Sequence, residues 1–315
     1  MILTEVNSEE YGGIFVHANH VFNTSAFNEL NKDKVEKVEY LLFREGENNK
    51  MGITCGIKNN VFYSPFSAPF GGWCYNNEPD ITDVEEAFEN LEAYVVTKGV
   101  DTVKITFPPS FYNESLMSVF YNVSFRKGYL ITMIDLNFQF KLDKFNNEYL
   151  QKVAKYNARK NYNLGAKNGL RMEMVEEEEK IELAYRIIET NRRQRGFPLR
   201  MSLENIRKTI KIIPADFFIV YNVAGIPVAS AMVYRVTDKI AQVVYWGHNV
   251  EFSGLKPINF LSYKLFEYYK QDGFEYLDIG PSTDAGIPNY GLIEFKLSIG
   301  CDISSKLTFE RNYRT

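Results

Sequence analysis

The residues with the clearest chemical potential lie near the C-terminus, between residues 276 and 301. A short apolar strand ends at Gly280, a loop rich in turn-forming residues follows, and the segment continues into Phe295-Lys296. Flexible backbone at the carboxyl end of a strand is where open α/β sheets bind ligands. An ordinary connection between a strand and a helix has the same composition, so both interpretations stand at this point. The ligand-binding candidates in the loop are Gly280, Ser282, Asn289 and Tyr290.

A second set of candidates is basic. Three- and four-residue spacing places Lys152, Lys155 and Arg159 on one face of a predicted helix. Arginine binds phosphate oxygens through two parallel hydrogen bonds, so such a face can hold the phosphates of a nucleotide-activated acceptor or of tRNA. The alternative is a solvated face that is balanced by the acidic residues 176–179. The full set comprises Lys152, Lys155, Arg159, Lys160 and Lys167 on this helix, and Arg192, Arg193 and Arg195 further on.

Further candidates accompany the predicted strand 240–246 and the end of the C-terminal segment. Trp246 ends the strand and is predicted to bind substrate or donor. His248 follows it and can act as a base or a hydrogen-bond donor, although an ordinary loop histidine has the same position. Cys301 has the chemistry of a nucleophile, but no neighbour in the sequence would activate it.

Metal and nucleotide-binding signatures are absent from the sequence. His17 and His20 have no further plausible ligands around them, so the sequence predicts no metal site. The chain also lacks the Gly-x-Ser-x-Gly, His-Glu-x-x-His, Walker and Gly-x-Gly-x-x-Gly patterns. Serine-hydrolase, zinc-protease and P-loop mechanisms are therefore excluded as starting hypotheses.

The composition indicates a globular protein with no global affinity for nucleic acid. The 315 residues are 45% hydrophobic and 24% charged, with a formal net charge of −4, so we expect no DNA partner. The three cysteines are widely spaced, and the sequence shows neither a leader peptide nor an apolar run of membrane-spanning length. We therefore predict a cytoplasmic protein. The 24 Phe and 21 Tyr suit clefts for sugar rings or peptides, or reflect a compositional habit.

The elements that must position the candidates occur twice along the chain. In each half, a predicted hairpin precedes a helix, which is followed by a strand at 100–107 or 276–279. Gly99 and Gly273 end the two helices and are 174 positions apart. The predicted fold class is α/β (α+β), with two tandem domains that each contain a mixed twisted sheet flanked by helices. At the same offset, Leu91 matches Leu265, Tyr94 matches Tyr268, and Ile105 matches Ile279.

The duplicated unit and the motifs after it resemble the FemAB/FemX family of aminoacyl and acyl transferases, whose members contain two GNAT-like domains. The likeness covers nearly the whole chain. The sequence departs from the family at two places: it has no long helical hairpin of the kind that some members use with tRNA, and residues 247–257 lack the pyrophosphate loop of CoA-binding GNAT enzymes. The matching residues are Asp278, Ile279, Gly280, Gly291, Leu292, Phe295, Lys296 and Gly300.

The resemblance implies a role for each domain and for the Phe-Lys pair. It implies a degenerate N-terminal GNAT-like domain on the acceptor side, residues 1–143, and a donor-side domain, residues 144–315. Lys296 and Phe295 are then the catalytic candidates. In the donor channel, the Lys296 ammonium would stabilise a tetrahedral oxyanion or a tRNA phosphate, and Phe295 would stack on or wall the site. The alternative is a surface lysine beside a core phenylalanine.

The function that follows is the transfer of an acyl or aminoacyl group to an amine or hydroxyl of a cell-envelope precursor or saccharide, without a covalent enzyme intermediate. The expected co-substrate is acyl-CoA or aminoacyl-tRNA, with no tightly bound cofactor, and the expected acceptor is a small molecule or a nucleotide-linked precursor. Two alternatives stay open. One is an acyl-CoA-dependent N-acetyltransferase with a divergent CoA loop, and the other is a catalytically inert protein that binds glycans or peptides.

Overall fold

The computed structural model describes residues 1–16 and 18–314. It divides into two compact units, each with its own helices and strands. Unit 1 comprises Met1–Leu136 and Ser304–Thr315, and unit 2 comprises Asn137–Ile303. Within the described part of the chain, no helix combines the length and the apolar composition that crossing a membrane requires.

Unit 1 contains four α-helices among its described residues. They are α1 (Ser8–Ile14), α2 (Ser25–Leu30), α3 (Ile81–Thr97) and α4 (Glu114–Arg126). Its strands are β1 (Ile2–Val6), β2 (Lys37–Glu45), β3 (Asn48–Lys58), β4 (Val61–Ser64), β5 (Trp73–Cys74), β6 (Thr102–Thr106), the first part of β7 (Leu130–Lys141), and most of the C-terminal strand (Asp302–Asn312), which is β15 in chain order.

The sheet of unit 1 begins antiparallel and then contains a parallel pair. Strands β1 to β4 pair antiparallel in sequence order, β4 pairs parallel with β6, and β15 pairs antiparallel with β6. Helix α3 crosses between the parallel strands, and its apolar residues at three- and four-residue spacing are buried, as the sequence predicts. Asp80 caps its first turn, and Gly99 follows its end with a φ of +70°.

Unit 2 contains five α-helices in its described part. They are α5 (Tyr156–Lys167), α6 (Glu178–Gln194), α7 (Leu203–Thr209), α8 (Pro257–Gln271) and α9 (Tyr290–Ser298). Its strands are the second part of β7, β8 (Arg171–Val175), β9 (Ala215–Tyr221), β10 (Pro227–Arg235), β11 (Ile240–His248), β12 (Tyr276–Pro281), β13 (Thr283–Asp284) and β14 (Ile287–Pro288).

The sheet of unit 2 repeats the pattern of unit 1. Strands β8 to β11 pair antiparallel in sequence order, β11 pairs parallel with β12, and β12 pairs antiparallel with β7. Helix α8 crosses between the parallel strands and buries one apolar face that includes Phe260, Leu265 and Phe266. The predicted fold class of two tandem GNAT-like domains is thereby confirmed at the level of strand order.

The chain passes from unit 1 to unit 2 within β7 and returns to unit 1 within β15. This division differs from the predicted one at 143 and 144. The strand after α4 crosses from unit 1 into unit 2 at Leu136, whereas the strand after α9 returns to unit 1. Leu307 and Phe309 lie in the core of unit 1, which is why β15 belongs there rather than in a domain of residues 144–315. The sequence analysis did not predict β1, β5, β13, β14 or β15.

Candidate active site

The two parallel strands of unit 2 separate halfway along their length. In the described chain, β11 and β12 pair at three positions. Ile240, Ala241 and Gln242 of β11 lie opposite Tyr276, Leu277 and Asp278 of β12. Beyond this point β11 continues to His248 beside β10, while β12 turns at Gly280, whose φ is +71°. Only glycine adopts this conformation without strain. The separation leaves an opening at the carboxyl ends of the parallel strands, where ligands bind in such sheets.

Asp278 lies fully buried at the point where the strands part. Its Oδ1 accepts hydrogen bonds from the side-chain amide of Asn137 and the main-chain N–H of Gly280, both at 2.8 Å. Its Oδ2 accepts a hydrogen bond of 2.8 Å from the side-chain amide of Gln242. Three donors around one carboxylate offset the cost of burying its charge. The carboxylate thus joins β7, β11 and the turn at Gly280.

Lys296 is buried in α9, with 2% of its surface exposed, which rules out a surface lysine at this position. Its Nζ donates to the main-chain carbonyl oxygens of Ile279 and Gly280, both at 2.8 Å, and of Pro281 at 3.1 Å. An ammonium has three donors, so this arrangement uses all of them. The Nζ also lies 5.2 Å from the centre of the Phe138 ring.

Burial lowers the pKa of Lys296 to about 8, while the neighbouring Cys301 and Asp278 act in the opposite direction. Burial also raises the pKa of Cys301, so this residue remains a thiol at neutral pH rather than becoming a nucleophilic thiolate. At pH 7 the Lys296 side chain is therefore a buried cation, and it loses its proton as the pH rises through about 8.

Phe295 and Trp246 form one wall beside this cation. Phe295 is half-buried, and its ring meets that of Trp246 edge to face, with 5.9 Å between centroids and an angle of 74°. One ring comes from α9 and the other from the free end of β11. The structure therefore brings Trp246 into contact with Phe295, and Gly280 into contact with Lys296, and the sequence analysis selected all four residues.

The loop after Gly280 folds into the β13–β14 hairpin. The N–H of Asn289 donates to the carbonyl oxygen of Ser282 at 2.8 Å and closes this hairpin at its base, and the Asn289 side chain then caps α9. The Oγ of Ser282 is buried without a hydrogen-bond partner among the described residues, whereas most buried polar side-chain atoms have one. Tyr290 is 77% exposed and points into solvent.

Two of the predicted arginines, Arg192 and Arg195, lie near the end of β11 that carries Tyr245 and His248. The guanidinium of Arg192 stacks over Tyr245 at 4.7 Å and donates to the carbonyl oxygen of Pro198, while its Nε is buried without a partner in the described chain. Burial lowers the pKa of Arg192. Burial, followed by the charge of Arg195, lowers the pKa of His248, so its imidazole is neutral at pH 7. The His248 ring lies 3.0 Å from the Ser253 hydroxyl.

Tyr245 and Arg200 belong to this arginine group, although the sequence analysis missed both. Arg200 contributes positive charge beside Arg192 and Tyr245. In the part of the chain that the structure describes, no carboxylate forms an ion pair with Arg192, Arg193, Arg195 or Arg200. Neighbouring strand residues point to opposite faces, so Tyr245 carries this group on the face of β11 opposite to Trp246.

Among the described residues, the basic helix α5 forms no ion pair that involves Lys296 or the arginines beside Tyr245. Arg159 donates to the carbonyl oxygen of Leu150 at 3.4 Å, and Lys160 is exposed. Lys152 pairs with Glu148, rather than with the acidic residues 176–179. Of those, Glu177 pairs with Lys180 and Glu178 with Arg207. The contacts of Arg159 and the exposure of Lys160 therefore give no support for grouping these two residues with the arginines beside Tyr245.

His20 of unit 1 is a core histidine. His20 is buried against the rings of Phe22 and Phe70, and burial lowers its pKa to about 3. His17 lies outside the described residues. Among those residues, no group of three or more His, Cys, Asp or Glu side chains has the arrangement of a metal site.

The fold is similar to that of three transferase-type solved structures. FemX has a TM-score of 0.72 at 14% identity, covering 99% of this chain and 97% of that chain. L-PGS from Bacillus licheniformis has a TM-score of 0.63 at 15% identity, covering 99% and 94%. The tandem GNAT protein from the clavulanic acid biosynthesis pathway has a TM-score of 0.53 at 9% identity, covering 99% and 98%. The chain therefore has the FemX-like fold of two GNAT-like domains, as predicted.

Sequence comparison adds little to this structural likeness. No family model matches the chain. The male gametocyte surface protein P230p of Plasmodium falciparum is 30% identical over 105 residues, or 32% of this chain. The matched part spans 4% of the length of that protein. The structural likeness establishes the fold, and the chemistry rests on the site itself.

Proposed function

We propose that this protein transfers an acyl or aminoacyl group to an amine or hydroxyl of a cell-envelope precursor or saccharide, and that the donor carbonyl binds where β11 and β12 separate. The observation that carries the proposal is the buried Lys296 ammonium at the end of β12, beside the wall of Phe295 and Trp246. FemX and L-PGS, which share this fold, support a transferase at the level of fold alone.

The chemistry proceeds by direct attack. The acceptor nitrogen or oxygen forms a bond to the donor carbonyl carbon, whose oxygen becomes an oxyanion in the tetrahedral intermediate. Collapse of this intermediate breaks the bond to the leaving sulfur or oxygen, and the leaving group takes up the proton that the acceptor loses. The Lys296 charge stabilises the oxyanion, because a buried cation acts strongly where water is excluded. The Pro281 carbonyl makes the longest of the three contacts to Nζ, so the oxyanion would replace that contact.

The arginine group supplies the second part of the proposal. We assign Arg192, Arg193, Arg195 and Arg200 to the phosphate groups of the donor or of a nucleotide-linked acceptor. Their guanidinium groups lack carboxylate partners in the described chain, and the buried Nε of Arg192 has no protein acceptor there. Arginine holds phosphate through paired charge-assisted hydrogen bonds.

The second candidate function is an acyl-CoA-dependent N-acetyltransferase. One observation favours its donor, acyl-CoA, over aminoacyl-tRNA. The part of β11 beyond Gln242 has no strand paired on its β12 side in the described chain. An extended chain that carries amides, such as the pantetheine arm of CoA, can pair with such an edge. In contrast, residues Val250–Leu255 form a 3-10 helix before α8 rather than a glycine-rich phosphate loop. Acyl-CoA and aminoacyl-tRNA therefore enter the test as separate donors.

The test is a transfer assay combined with thermal-shift measurements. Acetyl-CoA, an aminoacyl-tRNA and a nucleotide-linked peptidoglycan precursor are each added to the wild type, to Lys296→Met and to the control Lys239→Met. Lys239 is an exposed lysine of unit 2, so its substitution removes the same charge away from the site. Donor-dependent stabilisation and turnover in the wild type and control, with turnover lost in Lys296→Met, would support the proposal.

Two results would contradict the proposed function. Full turnover in Lys296→Met would show that this side chain is not part of the reaction. Stabilisation by the precursor alone, without transfer from either donor, would favour an inert protein that binds its ligand on the same fold.

A further inference from the structure

Asp278 and Lys296 hold the same residue, Gly280, from its two sides. The Asp278 carboxylate accepts the N–H of Gly280 at 2.8 Å, and the Lys296 ammonium donates to its carbonyl oxygen at 2.8 Å. Gly280 has a φ of +71°, so this pair of contacts fixes a turn that an extended strand does not contain. The positions of the Lys296 ammonium and the Asp278 carboxylate are thereby linked through Gly280.

The carboxylate is itself fixed from two further strands. Asn137 of β7 and Gln242 of β11 each donate a side-chain hydrogen bond of 2.8 Å to it. Its side chain is fully buried, as are those of both donors to within a few per cent. A buried carboxylate that accepts three hydrogen bonds has little freedom to move. The turn at Gly280 is therefore anchored to the part of the sheet where β11 and β12 still pair.

Among the described residues, two titratable groups act on the Lys296 ammonium from neighbouring elements, Asp278 on β12 and Cys301 before β15. Cys301 is a buried thiol and carries no charge at neutral pH. The third neighbour is the uncharged ring of Phe138 on β7. Asp278 is thus the negative charge that offsets the burial of the cation.

We propose that Asp278 is a positioning residue for the transfer reaction, which holds the Lys296 ammonium at the opening between β11 and β12 and keeps it charged. This inference rests on the proposed function for its role in turnover, whereas the coupling between the two side chains stands apart from it. It also assigns Asn137 and Gln242 to the support of Asp278.

The experiment measures the charge of Lys296 directly. Full-length protein is labelled with ¹³C at the lysine ε-carbons, and the Lys296 signal is identified by its absence from Lys296→Met. Its midpoint of titration, expected at about 8 in the wild type, is compared in Asp278→Asn and in the control Asp272→Asn. Asp272 lies in the same unit and pairs with Arg235. We expect Asp278→Asn to lower the midpoint by about one pH unit, as loss of a neighbouring charge does, and the control to leave it unchanged.

A second variant exchanges the carboxylate of Asp278 and the amide of Gln242, so that the pair still contains one carboxylate and one amide. In the double variant Asp278→Asn/Gln242→Glu, the carboxylate moves to β11, one strand further from Gly280. We expect a midpoint between those of the wild type and Asp278→Asn. This variant also provides the test if the single substitution fails to fold.

A midpoint equal to that of the wild type, in either folded variant, would overturn the inference. The result is independent of the proposed function, because the titration needs no substrate. A shifted midpoint together with full turnover in Lys296→Met would retain the coupling and reject the reaction. An unshifted midpoint with turnover lost in Lys296→Met would do the opposite.

Discussion

The Nζ of Lys296 lies 2.8 Å from the carbonyl oxygen of Gly280, at the point where a parallel pair of strands has opened. The hydrogen bonds that Lys296 donates go to main-chain carbonyl oxygens, so no carboxylate binds its ammonium directly. Its charge is therefore available to a negative group that forms during a reaction. The contact explains both why α9 packs against the end of β12 and why the site would favour a developing oxyanion.

Replacement of Lys296 by Met should reduce turnover far more than donor binding. The Met side chain fills a similar volume but lacks the charge, so the loss falls on the tetrahedral intermediate rather than on the ground state. We expect kcat to fall by about 100- to 1,000-fold, the range found when an oxyanion donor is removed. Initial rates at saturating donor measure this, with Lys239→Met as the matched control. A proportional rise in KM at constant kcat would contradict the assigned role.

Turnover should fall as the pH rises through about 8. The pKa of Lys296 lies near this value, and its protonated form is the one that stabilises an oxyanion. We expect a decline that approaches tenfold per pH unit above 9, measured as kcat against pH with a donor that is stable to hydrolysis. Turnover that increases through the same range would instead indicate that neutral Lys296 acts as a base.

The same group should act on stability with the opposite sign. In the unfolded chain the lysine pKa is 10.5, so between about pH 8 and 10.5 the unfolded state binds more protons than the folded state. The free energy of unfolding should therefore gain from Lys296 as the pH rises through this window. Denaturant unfolding of the wild type and of Lys296→Met at pH 7.5, 9 and 10.5 isolates this term. Parallel pH curves for the two proteins would exclude it.

Local pattern was enough to predict some elements and not others. Helix α3 was predicted because its buried positions recur at three- and four-residue spacing between a capping Asp and a Gly, and it ends at Thr97, two residues before the Gly99 that the sequence analysis placed at its end. Strand β15 was missed because its buried positions include Ser304, Lys306 and Thr308. Lys306 is satisfied there by an ion pair of 3.2 Å with Asp135. A polar residue that is buried by a distant partner hides the alternation that identifies a strand.

In the candidate site, too, local pattern predicted some features and not others. Gly280, Phe295 and Lys296 were selected because turn-forming residues after an apolar strand, together with the resemblance, identify the segment as a candidate. That Lys296 is buried was not predictable, since lysine is among the residues least often buried and its three carbonyl partners lie 15 to 17 positions earlier. Arg200 and Tyr245 were missed for a related reason. Only the packing of α6 and its following loop on β11 brings them beside Arg192.

Removal of arginines from the group around Tyr245 should weaken the binding of phosphate-bearing substrates. We expect Arg192→Ala and Arg200→Ala each to reduce affinity about tenfold or more, which corresponds to the loss of charge-assisted hydrogen bonds. Isothermal titration with a phosphate-bearing donor and its phosphate-free fragment separates this effect from general damage. Arg186→Ala is the control, because Arg186 lies on the same helix and is exposed and paired with Glu182. Equal losses for the fragment would contradict a phosphate site.

Replacement of Phe309 by Ala should destabilise unit 1, although the residue lies six positions from the C-terminus. Phe309 is 1% exposed and packs its ring against Phe107 and Tyr121, in a strand that pairs with β6. We expect a loss of about 3–5 kcal/mol in the free energy of unfolding, the usual cost of the cavity that Phe→Ala leaves in a core. Denaturant unfolding gives the value. Phe125→Ala is the matched control, since Phe125 belongs to the same unit and is 74% exposed, so its loss should cost no more than about 0.5 kcal/mol. Similar small losses in both variants would contradict the assignment of the last strand to the core of unit 1.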